Sequence, residues 1–93
     1  VSGIAIKHDG KAESLRVQGI FVEIGLITNS GLAKDVTKNQ LGEIMVNCHN
    51  ETNIPGIFAA GDVTNVPEKQ IIIAAGEGAK AVLSAFKYLN QQR

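Results

Sequence analysis

Ile57-Phe58-Ala59-Ala60-Gly61-Asp62-Val63-Thr64 is the stretch that decides how this 93-residue chain is read. Its first four residues are apolar without a break and too few for a helix, so they predict a short strand. Continuous apolar strands are usually covered on both faces, as in a parallel sheet. The strand stops at Gly61-Asp62, which puts a carboxylate at the carboxyl edge of a sheet, where open α/β sheets bind ligands. Gly61 lets a ligand approach the backbone, and the Asp62 carboxylate can accept hydrogen bonds from sugar hydroxyls. A turn or N-cap aspartate accounts for the same pair at least as well.

Downstream, Val63 to Lys69 is a loop containing Pro67, and a helix begins near Gln70-Ile71. Ile72, Ala75, Ala79, Val82, Phe86 and Leu89 are spaced 3, 4, 3, 4 and 3 apart, which is one helical face. Glu77, Lys80, Ser84, Lys87 and Gln91 repeat that spacing on the opposite face. Gly76 and Gly78 each cost roughly 0.5–1 kcal/mol relative to alanine, so a close packing contact is expected there. Gly76 to Ala81 also fits the pattern G-x-G-x-x-A. A dinucleotide-binding turn is rejected, because the helical stripe runs through both glycines and the acidic ribose partner would fall beyond Arg93. The first N–H groups of the helix lack internal partners and its dipole is positive there. Such an end stabilises an anion or a carbonyl-rich ring by roughly 0.3–2 kcal/mol, although most helix ends bind only water or a cap.

Upstream, Ile4 and Ile6 alternate with polar neighbours, Asp9-Gly10 supplies a tight turn, and Leu15 and Val17 alternate again, which predicts a β-hairpin. Ile20 to Ile24 and Glu43 to Asn47 read as further strands, and Asn29-Ser30 as the cap of a short helix over Gly31 to Val36. Asn50 to Pro55 reads as a surface loop. His8 and His49 stand apart without a metal-ligand cluster. Cys48 and His49, as strand neighbours, would point to opposite faces. Glu23 is expected to face solvent or to pair with a lysine.

Composition narrows the class. Nine basic and nine acidic residues cancel, which argues against a nucleic-acid grip. No apolar run approaches the roughly 20 residues that cross a bilayer, so no membrane partner is expected. A single cysteine allows neither an internal disulfide nor a CxxC pair, and the cytoplasm is the default compartment. The chain begins at Val1, so its true start is expected upstream.

Residues 57–64 followed by Pro67-Glu68-Lys69-Gln70-Ile71-Ile72-Ile73-Ala74-Ala75-Gly76-Glu77-Gly78-Ala79-Lys80-Ala81 resemble the second FAD-binding motif of thioredoxin reductase-like flavoproteins. Lys69-Gln70-Ile71 looks like the alkyl hydroperoxide reductase branch of that family, where many thioredoxin reductases carry Arg-Gln-Ala. Gly19 to Ile27 with Asn29 is similar to the strand that returns the chain to the FAD domain; the family usually has proline where Thr28 stands. The resemblance implies an α/β fold, the C-terminal fragment of a two-dinucleotide-binding-domain architecture. Residues 1–18 would be the last hairpin of the NAD(P)H domain and residues 19–93 the final segment of the FAD domain. It also implies that Asp62 bonds a ribityl hydroxyl of FAD and that Gly61 gives the flavin chain room. Gln70 and the N–H of Ile71 would face the pyrimidine edge of the isoalloxazine, with Lys69 nearby. The family's first glycine fingerprint and its CxxC are not in this sequence, so the fragment is expected not to catalyse alone. The whole enzyme would pass electrons from NAD(P)H through FAD to a disulfide and then to a thioredoxin-like or peroxiredoxin partner. Exposed apolar surface and a homodimer are expected as well. The alternatives are a cofactor-free binding or assembly module, and another flavin-dependent disulfide oxidoreductase.

Overall fold

The structure, a computed structural model, describes residues 1–92. Strand β1 (Ile4–His8) pairs antiparallel with β2 (Lys11–Leu15), with Ile4 opposite Leu15 and His8 opposite Lys11. Asp9 and Gly10 take φ values of 49° and 79°. Two successive positive φ values make the type I′ turn whose twist matches that of a hairpin. The hairpin is therefore the one the sequence predicts, and it projects into solvent with only Ile4 half-buried along β1.

Helix α1 (Ile71–Gln91) also forms where the periodicity places it, and it runs without interruption through Gly76 and Gly78. The rejected dinucleotide turn thus lies inside a continuous helix. Its packing differs from the expectation. A Cβ added at Gly76 or Gly78 would meet nothing within 4 Å, so no close contact explains these glycines among the described residues. The half-buried stripe is Ala74, Glu77, Gly78, Ala81, Ser84, Ala85 and Tyr88. The larger apolar stripe, including Val82, Phe86 and Leu89, is open to solvent. Small side chains let the backbone of α1 approach the 57–63 segment, while the bulky stripe has no neighbour to cover it.

Of the three strands expected between the hairpin and the helix, the 43–47 and 57–60 runs keep only isolated bridges, Lys38 with Ile44, Ile44 with Thr64 and Glu51 with Phe58, and the 20–24 run keeps none. The second of these bridges is parallel but falls at Thr64, past the end of the 57–60 strand for which a parallel sheet was expected. Ile57 is exposed and Phe58, Ala59 and Ala60 are only half-buried, so the expected cover on both faces is missing. Residues 19–29 make no backbone hydrogen bond among the described residues, and Phe21 and Ile27 are almost wholly exposed. A β-rich run needs a neighbouring strand to satisfy its N–H and C=O groups, and none is at hand. The short helix over 31–36 does not form. Ser30 donates its hydroxyl to the Gly42 carbonyl at 2.6 Å instead of capping, and Gly31-Leu32 is a turn. Cys48-His49 is likewise a turn and not a strand, closed by the Asn50 N–H on the Asn47 carbonyl.

The core is small. Val36 and Ile44 are its only buried apolar residues among those described, beside buried Ser30 and fully buried Asn50 and Thr64. The radius of gyration is 19.6 Å, against about 12 Å for a compact chain of this length. The accessible surface of 7730 Å² compares with roughly 5,200 Å² for a self-contained protein of this mass. Both numbers describe an extended chain whose apolar faces are largely open to solvent.

Candidate functional site

Gly61 to Thr64 form a tight turn. The Thr64 N–H and hydroxyl both donate to the Gly61 carbonyl, at 3.0 and 2.8 Å. Thr64 is wholly buried and Gly61 has φ 80°, a left-handed conformation in which a side chain is strained. A Cβ at Gly61 would stand 3.4 Å from the Ala74 Cβ. The turn that presents Asp62 is therefore pressed against the first turn of α1. Asp62 itself is exposed at an open cleft of about 220 Å³ lined by Leu26 to Asn29 and Val63. The turn that carries Asp62 and the first turn of the helix, both singled out from sequence, thus meet through Gly61 and Ala74.

Gln70 is the N-cap residue, with extended φ −131° and ψ 146°, and its carbonyl accepts from the Ala74 N–H. No side chain caps the helix and no acidic residue sits in its first turn. The amino end consequently keeps its free donors and its positive potential. Ile71 is 92% exposed there.

Lys69 is held by the chain. Its Nζ lies 2.9 Å from Glu43 Oε1 and also donates to the Thr64 carbonyl, so it fastens the 64–69 loop to the segment around Glu43. Asn39 completes this knot, donating to the other Glu43 oxygen at 2.6 Å. Sequence reasoning missed it, because no spacing rule joins Glu43 to Lys69. It also took Asn50 for a surface residue, whereas Asn50 has no exposed surface and bonds Glu77 of α1. The positive φ of Asn50, 61°, belongs to a turn residue and is the one signal asparagine itself gives. His8 and His49 are exposed, and no group of metal-ligating residues exists among those described. No helix among the described residues is long and apolar enough to cross a membrane.

Lys69, then Asn39, hold the Glu43 carboxyl below the ordinary carboxylate value of 4.5, and Lys80, then Asn50, do the same for Glu77. A carboxyl with a depressed folded-state pKa binds fewer protons than the unfolded chain in the interval between the two values, so stability rises with pH there. The contribution is complete above about pH 4.5 and is lost as the pH falls through the depressed values. Glu43→Gln with Glu77→Gln is expected to flatten the acid limb of a melting-temperature profile below that point. An unchanged acid limb would show that neither pair survives in solution.

Residues 2–79 match the family described as pyridine nucleotide-disulphide oxidoreductase, and the chain belongs to that family. Among its relatives is a component of the alkyl hydroperoxide reductase of Escherichia coli K12, 56% identical over 81 residues, covering 86% of this chain and 16% of that protein. The corresponding Pseudomonas aeruginosa protein is 53% identical over 92 residues, covering 96% and 18%. Among solved structures, the thioredoxin reductase of T. acidophilum superposes with a TM-score of 0.83 at 34% identity, over 99% of this chain and 31% of that one. The chain thus spans less than a fifth of the length of these two hydroperoxide reductase relatives.

Proposed function

We propose that this segment supplies the flavin-facing wall of an FAD-dependent NAD(P)H:disulfide oxidoreductase of the thioredoxin reductase and alkyl hydroperoxide reductase type. The observation that carries the proposal is the contact of Gly61 with Ala74, which brings the Asp62 turn against the uncapped, acid-free start of α1. That donor set fits a flavin. Asp62 would accept from a ribityl hydroxyl, and Gly61 would leave room for the chain. The Gln70 side chain and the Ile71 N–H would meet the pyrimidine edge, and Lys69, tied to Glu43, would hold the loop beside it. The bound flavin would supply the electron-transfer chemistry, and the positive helix end would favour the negative charge the ring gathers on reduction.

Residues 1–18 would belong to the NAD(P)H domain and residues 19–93 to the FAD domain. The whole protein would draw on NAD(P)H, reduce a thioredoxin-like or peroxiredoxin partner through a disulfide, act as a homodimer and work in the cytoplasm. The segment alone would not catalyse. Its bare apolar faces should make it self-associate and bind a hydrophobic dye; a strictly monomeric, dye-silent species would contradict this.

The test is a chimera in which this chain replaces the matching 81-residue stretch of the Escherichia coli hydroperoxide reductase relative. It should purify yellow, with flavin absorbance near one equivalent per chain. A folded but colourless chimera that takes up no added FAD would overturn the reading.

A further inference from the structure

Asn50 is a fully buried amide in the left-handed region, at φ 61°. Its side-chain NH2 donates to the Ala59 carbonyl at 3.0 Å and to Glu77 Oε2. Its own carbonyl accepts from the Ala59 N–H at 3.1 Å. Asn50 thereby engages both main-chain groups of Ala59, two residues before Gly61, and reaches α1 as well. Both contacts of its NH2 are acceptors, so the network fixes which way the amide points. The amide oxygen Oδ1 is left buried with no donor among the described residues. An unpartnered buried carbonyl is unfavourable, so the bonds made by the NH2 must outweigh it.

Glu77 lies on the inner face of α1, three residues after Ala74, and its other oxygen holds Lys80 at 2.9 Å. The segment ending at Asp62 therefore touches the helix twice, one helical turn apart: through Gly61 on Ala74, and through Ala59, Asn50 and Glu77. Two contacts separated along an axis fix an angle, where one would leave a pivot. We infer that Asn50 and Glu77 form a positioning bridge that sets the angle between α1 and the Gly61–Asp62 turn, and with it the alignment of the groups that grip the flavin. The bridge rests on the flavin reading of the Asp62 turn. Neither residue touches the flavin groups; both act through the pose of the helix.

The chimera with the Escherichia coli relative, carrying Asn50→Gly, Glu77→Ala, both together, or Glu77→Gln, tests the bridge. Glycine keeps the left-handed backbone and removes the amide. Glutamine keeps an oxygen for the Asn50 NH2 and gives up only the ion pair to Lys80. N50G and E77A should each weaken FAD binding about tenfold, the scale of one hydrogen bond to a charged group. Where the loss falls on one oxidation state alone, the two-electron midpoint potential moves by about 30 mV. The double variant should be no worse than either single one, and E77Q should stay within about twofold of the parent. Lowered melting temperatures with unchanged FAD affinity and potential would make the bridge merely structural and overturn the inference, as would additive losses in the double variant. Asp62→Ala in the same series separates the two ideas. If it too keeps its flavin, the flavin reading itself falls; if it loses flavin while the bridge variants do not, only the bridge falls.

Discussion

Gly61→Val in the chimera is expected to cost about 2–6 kcal/mol of stability. Two effects add. The backbone sits at φ 80°, where a β-branched residue is an outlier that costs of order 1–3 kcal/mol. The new Cβ would already be in contact with the Ala74 Cβ at 3.4 Å, so the two γ-methyls have to push into the first turn of α1. Overpacking of that kind costs roughly 1–3 kcal/mol more. Gly61→Ala keeps the backbone strain but only touches Ala74, and should cost about 1–2 kcal/mol. Thermal melts should rank the parent above G61A and G61A above G61V. A G61V chimera that melts with the parent would mean that this turn is not fixed against the helix.

Asp62→Ala should leave the fold intact, because the side chain is exposed and the turn is closed by Thr64 rather than by Asp62. On the proposed flavin role of Asp62, its effect would fall on the cofactor. Loss of a charge-assisted hydrogen bond to a ribityl hydroxyl corresponds to about 1–3 kcal/mol, or roughly 5- to 150-fold in the dissociation constant for FAD. Asp62→Asn retains one acceptor oxygen and should fall between the two. Flavin content on purification and titration of FAD into stripped protein give both numbers. Equal flavin content in D62A and the parent would remove Asp62 from the site.

The elements that frame the candidate site were legible in sequence because local rules write them. Gly-Asp after an apolar run marks a strand end, the 3-4-3-4-3 spacing marks α1, and Asp9-Gly10 marks a hairpin whose register needs no help from elsewhere. The rest depends on pairings across the chain. Ile20 to Ile24 has every mark of a strand and forms none, since a ladder requires a second strand and propensity cannot supply one. Periodicity likewise found two faces on α1 and could not tell which would be covered. Ala74 meets Gly61 because both are small enough to let the backbones approach, and Ala81 and Ala85 are half-buried on the same side, while the greasier stripe is left bare. Asn50 reads as punctuation, because its partners Ala59 and Glu77 lie 9 and 27 residues away.

The two-sidedness of α1 bears on how its sequence can drift. One flank is taken by Gly61, Asn50 and Phe58, and in the proposed whole protein the other, bulky stripe would lie beneath a further layer of protein. Only a thin strip along Lys80, Lys87 and Gln91 is left for neutral change. A saturation scan of the helix in the chimera should show intolerance around most of its circumference, where an ordinary surface helix would forgive nearly half.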